Sequence, residues 1–192
     1  MPTQGHMTCE FGKWLTANVN EIGAPSDYVV FYDHGDSQEE NVVAIKGFCG
    51  DEVCNKNRLA DVDVMIAKPS GRIVLLIEIE ERHATPKKII GDAATLLMCT
   101  KFAVRKEKEQ KTYTVDRNSR LLIALILPDH GDRQRKVSEV LAPRFKSFSG
   151  FKQGVRPGQV EFLSDGSIKE LREKLECRVK AILRSDFRTT RP

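Results

Sequence analysis

Four carboxylates lie two residues apart within two short apolar segments. Asp61 and Asp63 fall in Leu59-Ala-Asp-Val-Asp-Val-Met-Ile66, and Glu78 and Glu80 in Ile73-Val-Leu-Leu-Ile-Glu-Ile-Glu80. Side chains of a strand alternate faces with a period of two. Asp61 and Asp63 are therefore expected on one side, with Val62, Val64 and Ile66 on the other; Glu78 and Glu80 are expected opposite Ile77 and Ile79. Segments this rich in Val, Ile and Leu belong in a sheet core, where an ionised carboxylate is costly unless it is paired or bound to a cation. Three or four such groups converging point to a divalent metal. Carboxylates with water and a backbone carbonyl suit Mg²⁺ or Mn²⁺ better than Zn²⁺, and the chemistry to expect is at phosphate. The alternative is an antiparallel hairpin with one solvated face, on which acidic residues need no further role.

The Gly-containing connection Ala67-Lys-Pro-Ser-Gly-Arg72 reads as a hairpin loop between the two segments. The order of acidic strand, turn, Glu-x-Glu strand and helix resembles the PD-(D/E)XK nuclease superfamily, which includes many restriction endonucleases and archaeal Holliday junction resolvases. The resemblance runs from about Val42 to Ala103. Ala60-Asp61 stands where that family has Pro-Asp, 17 residues before Glu78, and Glu78-Ile79-Glu80 replaces the usual acidic-x-Lys. Some restriction enzymes of the superfamily carry Glu at that place. The resemblance implies an αβββαβ core and a Mg²⁺-dependent DNA endonuclease, most simply a restriction-like one. Asp61 and Glu78 would hold the metal, with Asp63 a second candidate ligand and the backbone carbonyl of Ile79 completing the shell. Glu80 would position the attacking water in place of the family lysine. Lys87 and Lys88 could instead reach back to the site, and Glu80 ranks ahead of both; the other reading for each lysine is a solvated or phosphate-contacting charge. Lys56 and Arg58 are further candidates for phosphate contact. The family also places an acidic residue on its first helix, for which Glu10 and Glu21 are candidates. Cutting both strands of DNA would call for a homodimer. A junction resolvase or repair nuclease, and a non-catalytic DNA-binding protein that keeps the fold, are the two alternatives.

A chain of 192 residues, 40% apolar and 30% charged, is long enough to bury one good core. We expect a single domain over 1–192, with residues 1–8 assigned no structural part. No apolar run approaches bilayer length and no signal peptide is evident, so a soluble cytoplasmic protein without a membrane partner is expected. Cys9, Cys49, Cys54, Cys99 and Cys177 are odd in number and include no Cys-x-x-Cys pair. Free thiols are therefore expected rather than a zinc knuckle or a disulfide framework. His6, His34, His83 and His130 form no cluster; His83 draws attention because it follows the acidic strand. The net charge of +4 hides an asymmetry: residues 1–100 carry 9 Lys/Arg against 15 Asp/Glu (9 − 15 = −6), whereas 101–192 carry 22 against 12 (+10). An acidic half that holds cations beside a basic half that meets phosphate suits a metal-dependent nuclease.

The positioning elements follow from pattern. Glu10 to Glu21 predicts an amphipathic helix presenting Phe11, Trp14, Leu15 and Val19, broken by Gly23-Ala-Pro25. Asp27–Asp33 and Asn41–Phe48 predict strands. Thr85 followed by Pro86 is a strong helix start, and Ile89, Ile90, Ala93, Leu96 and Leu97 give the face that covers the sheet, with Gly91 permitting close packing. Lys101 to Arg120 reads as a helix end followed by an exposed loop. Leu121–Leu127, stopped by Pro128, reads as a buried parallel strand. A helix over Gln134–Phe148 interrupted near Pro143, a loop over Ser149–Gly158, a short strand over Gln159–Leu163 and a final helix capped by Ser164-Asp-Gly-Ser167 complete the chain. The stripe Ile168, Leu171, Leu175, Val179, Ile182 on that last helix reads as core or dimer contact. The result is a restriction-endonuclease-like α/β fold: a mixed central sheet flanked by helices, with an added C-terminal strand and helix.

Overall fold

A computed structural model describes residues 5–22, 28–36, 38–81, 85–127, 136–147, 154–156 and 159–189. Its centre is a five-stranded mixed sheet in the order β1-β4-β5-β8-β9. These strands are Val29–Tyr32 (β1), Val64–Ala67 (β4), Ile73–Glu80 (β5), Arg120–Ile126 (β8) and Val160–Asp165 (β9). β4 runs antiparallel to β1 and β5, whereas β5, β8 and β9 run parallel. The continuous apolar runs of β5 and β8 are explained by that position, since parallel central strands are covered on both faces.

Helices cover the two faces. On one lie α1 (His6–Ile22) and α4 (Ile168–Thr189), whose Phe11, Leu15 and Val19 and whose Leu171, Leu175, Val179 and Ile182 pack with Val64, Ile66, Ile77, Leu122 and Ala124. The stripe on the last helix is therefore core. Its start is capped by Ser167, whose hydroxyl accepts the Glu170 N–H at 3.2 Å and donates to the Glu170 carboxylate at 2.9 Å. On the other face lies α2 (Pro86–Met98), whose Ile89, Ala93, Leu96 and Leu97 are buried. Its cap is as expected: the Thr85 hydroxyl accepts the Lys88 N–H at 3.2 Å, and Pro86 opens the first turn.

Three expectations change. First, a second, antiparallel sheet in the order β3-β2-β6-β7 packs on the α2 side, built from β2 (Ile45–Phe48), β3 (Arg58–Val62), β6 (Lys101–Lys106) and β7 (Glu109–Thr114). The segment read as a helix end and loop is thus the β6–β7 hairpin. Phe102 and Val104 of β6 and Tyr113 of β7 point into the core, and the two-residue turn places Glu107 at φ 53° without a glycine or asparagine to announce it. Second, Met7 and Thr8 are buried at the start of α1, so the fold begins before residue 9. Third, a Cβ at Gly91 would meet nothing within 4 Å, so no close packing requires that glycine.

The helix expected near Pro143 is a π-helical turn, Lys136–Leu141, running into the short helix α3, Ala142–Ser147. Gly23–Pro25, His83, Pro128, His130, most of the Ser149–Gly158 loop and residues 1–4 lie outside the described residues. Among the described residues, no helix is long and apolar enough to cross a membrane, and the five cysteines are free thiols.

Two glycine substitutions should move stability in opposite directions. A Cβ at Gly12 would sit 2.3 Å from the Tyr32 ring, so Gly12→Ala should lower the urea midpoint by an amount equivalent to about 1–3 kcal/mol. Gly91→Ala, in open space on α2, should raise it by about 1 kcal/mol.

Candidate active site

Asp63 is the one residue between β3 and β4, and there the chain leaves one sheet and joins the other. Strand alternation does not survive that crossing: Val62 packs in the core beneath α2, whereas Val64 and Ile66 pack beneath α1 and α4. Asp61 and Asp63 accordingly separate. Asp61 is half exposed, with its side chain 53% accessible, and is held by Arg58 at 2.5 and 2.8 Å on the outer surface of the second sheet. Asp63 turns inward, and its Oδ2 accepts the Ile79 N–H at 2.6 Å. The structure thus removes Asp61 from the acidic set and leaves Asp63 beside Glu78.

On β5 the expected alternation holds. Ile77 and Ile79 are buried on the α1 face, and Glu78 and Glu80 point to the α2 side. Asp63, Glu78, Ile79, Glu80, Glu81 and Lys88 line a small polar cavity of about 110 Å³, closed by Gly5, Thr8 and His34. Lys88, one turn into α2, pairs with Glu80 and lies 3.4 Å from Asp92. Lys87 is exposed at the same helix start, and Lys56 and Arg58 lie on the surface away from this cavity. In a strand, the N–H and C=O of one residue point to the same edge. The Ile79 carbonyl therefore opens towards the gap that its N–H spans to Asp63.

Electrostatics single out the half-buried pair Asp63 and Glu78. Burial raises the Glu78 carboxyl to about 8, helped by the neighbouring charges of Asp63 and Asp92, while Lys88 and the Asp63 main chain oppose the shift. Burial likewise raises Asp63 to about 6 against the Ile79 N–H and His34, with Asp33 and Glu81 adding to the rise. Among the described residues, neither Asp63 nor Glu78 forms an ion pair, and no group of three or more His, Cys, Asp or Glu side chains is set to hold a metal ion. A metal here would rest on two carboxylates, a carbonyl and outside ligands.

Three participants were not legible in the sequence pattern. Glu81 accepts the Thr8 N–H at 3.1 Å and so caps the start of α1 at the cavity rim. Neither Glu10, which lies 3.8 Å from Arg172, nor Glu21 lines the cavity. His34, rather than a histidine after the acidic strand, stands at the wall, at φ 66°, its N–H donating to the Asp33 carboxylate. Asp92 joins through Lys88. Only the adjacency of Glu81 to the Glu-x-Glu run carried a signal. A wider groove of about 930 Å³ lies between Phe31, Val43 and Val104 and the Lys106–Lys111 hairpin, but its charges alternate in sign and do not converge.

The raised Glu78 carboxyl sets a pH dependence for the metal-free protein. Below the ordinary carboxylate range both folded and unfolded chains are protonated there and nothing is lost. As pH rises towards 8 the unfolded chain sheds the proton first, so stability falls, and above 8 the full cost of a buried charge is felt. With chelator present, Glu78→Gln should match the wild type near pH 4 and exceed it in denaturation midpoint at pH 9, by on the order of a few kcal/mol. A wild-type advantage at pH 9 would contradict this account.

Comparison with known proteins found no matching family model, no matching curated protein and no matching solved structure.

Proposed function

We propose that this chain is a Mg²⁺-dependent DNA endonuclease of the restriction-endonuclease-like type, hydrolysing phosphodiester bonds at the Asp63–Glu78 pair. The observation that carries the reading is two adjoining, half-buried carboxylates that line one small polar cavity and share no ion-pair partner among the described residues. They sit at the central mixed sheet, and once β2, β3, β6 and β7 of the second sheet are set aside, α1, β1, β4, β5, α2 and β8 run in the αβββαβ order that the sequence resemblance implies. Mg²⁺ is commonly held by only one or two carboxylates, with water and substrate phosphate filling the remaining positions, so Asp63, Glu78 and the Ile79 carbonyl suffice as protein ligands. When bound, the ion supplies neutralisation of charge on the phosphate and a lowered pKa for water.

The remaining work falls to Glu80 and Lys88. Glu80 takes a proton from the attacking water as the new O–P bond forms and the P–O bond to the leaving sugar oxygen breaks; the leaving oxygen takes its proton from solvent. Lys88, paired with Glu80 from α2, brings to this place the ammonium that Glu-x-Glu withholds from β5. Cutting both strands of a duplex would engage two copies related by a two-fold axis.

With supercoiled plasmid and Mg²⁺, Asp63→Asn and Glu78→Gln should each lower the cleavage rate by roughly 10²–10³ or more. Glu80→Gln and Lys88→Met should lower it by roughly 10²–10⁴, and Asp61→Asn should leave it within about threefold, as for an ordinary surface change. Discrete plasmid fragments would identify a sequence-reading enzyme; cutting confined to four-way junctions would identify a resolvase. DNA binding with no cleavage under any divalent ion would identify a binding protein that keeps the fold. Independently of turnover, Mg²⁺ at ten times its Kd should stabilise the wild type by about 1.4 kcal/mol in a thermal melt. The Asp63→Asn, Glu78→Gln double variant should show no such shift.

A further inference from the structure

We infer that the outer face of the second sheet binds the phosphate backbone of duplex DNA. Strand register defines this face. Ile45, Gly47, Val62, Phe102, Val104 and Tyr113 point inward: Ile45, Val62, Phe102, Val104 and Tyr113 belong to the core beneath α2, and a Cβ at Gly47 would meet Cys99 and Phe102. Their alternates face outward. Asp61, Lys46, Ala103 and Thr112 lie side by side across the four strands, and Arg58, Phe48, Lys101 and Thr114 form the next rank; Ala103 and Phe48 at the middle are buried and Lys46 and Lys101 half-buried, whereas Arg58 is exposed. Arg105 continues the face beyond Ala103. Val62, Ile45 and Val104 are level with one another, so Arg105 lies at the end of the sheet nearest Asp63.

The face therefore carries Arg58, Lys46, Lys101 and Arg105, against one carboxylate, Asp61, which Arg58 already engages. Lys101 donates to the Asp51 main-chain carbonyl at 2.7 Å, a contact that orients its ammonium without neutralising it. Asp51 and Asp116 oppose it at that end, where they line one pocket with Lys101, Thr114, Arg117 and Arg156. Hydroxyls of Thr112 and Thr114 lie among the cations on the β7 edge, and both residues are exposed. From Lys101 to Arg105 is four residues of strand, about 13 Å, which spans about four base-pair steps of duplex. Charge complementarity selects a polyanion, and the direction of the track selects the substrate: β3 leads directly from this face into Asp63. The choice of DNA rests on the nuclease reading above; the geometry of the face does not.

The test is fluorescence anisotropy of a labelled duplex with chelator present, from 50 to 200 mM salt. It compares the wild type with a Lys46→Gln, Lys101→Gln, Arg105→Gln variant and with a Lys169→Gln, Lys180→Gln, Arg184→Gln control on α4. The sheet variant should lose roughly a hundredfold in affinity near 0.1 M salt, and its log–log salt slope should shrink by about 2.7, three contacts at 0.9 each. The control should keep the wild-type slope. Arg105→Gln alone, which touches one exposed side chain, should shrink the slope by about 0.9 if the triple variant does not fold. An unchanged slope in both sheet variants, an equal loss in the control, or equal binding of poly-glutamate by the wild type would overturn the inference. Binding that behaves as expected while Mg²⁺ elicits no cleavage would instead remove the nuclease reading and leave the surface assigned.

Discussion

The Ile79 amide is the point on which the site turns. β4 and β5 pair through Val64 and Ile77, and the next N–H along β5 facing that edge belongs to Ile79, which lies beyond the first residue of β4. A buried amide left without an acceptor costs about 1–3 kcal/mol. The Asp63 carboxylate supplies the acceptor at 2.6 Å, which ends one sheet cleanly and releases the chain to begin the other. The same bond fixes an acidic oxygen beside Glu78. The fold and the candidate site thus share one hydrogen bond, and the carboxylate is positioned by a requirement of the sheet.

Around that bond the elements divide the labour. β5 holds Glu78 and Glu80 on one face because Ile77 and Ile79 must be buried on the other. α2 brings Lys88 close because Thr85 and Pro86 fix where the helix begins, and Lys88 is the residue whose N–H the Thr85 hydroxyl accepts. α1 closes the rim because Glu81, immediately after β5, caps its first turn through Thr8. At the opposite end of β5, Arg72 and Lys68 hold Asp186 of α4 at 2.7 and 3.3 Å, with the Tyr28 hydroxyl donating to the same carboxylate at 3.0 Å. The sheet is thereby tied down at the end away from the cavity.

The central strands, α2 with its cap and the stripe on α4 were legible because burial on one or both faces imposes a period that survives in one dimension. Glu78 and Glu80 were legible for the same reason. The choice between Asp61 and Asp63 was not, since alternation assumes that a strand stays in one sheet, and the chain changes sheets at Asp63. The β6–β7 hairpin was not legible because Lys106, Glu107, Lys108, Glu109 and Lys111 at and beside its turn dilute the inward Phe102, Val104 and Tyr113, and because Glu107 takes a turn conformation usually given to glycine or asparagine. His34 and Glu81 reach the cavity through tertiary packing, to which no spacing in the sequence corresponds.

A single residue between β3 and β4 has a mechanical meaning. The second sheet is cross-braced by its own hydrogen bonds and tied to the central one by a shared core, by the bridges of Tyr32 to Val42 and Arg72 to Thr114, and by the covalent passage of β3 through Asp63. Force applied to the far end of β3, near Arg58, is carried by covalent bonds to the residue that bridges to Ile79. A shift of β3 would therefore change the gap between Asp63 and Glu78, and the Mg²⁺ proposed for that gap would be sensitive to it, since a small hard cation tolerates little deviation from octahedral geometry.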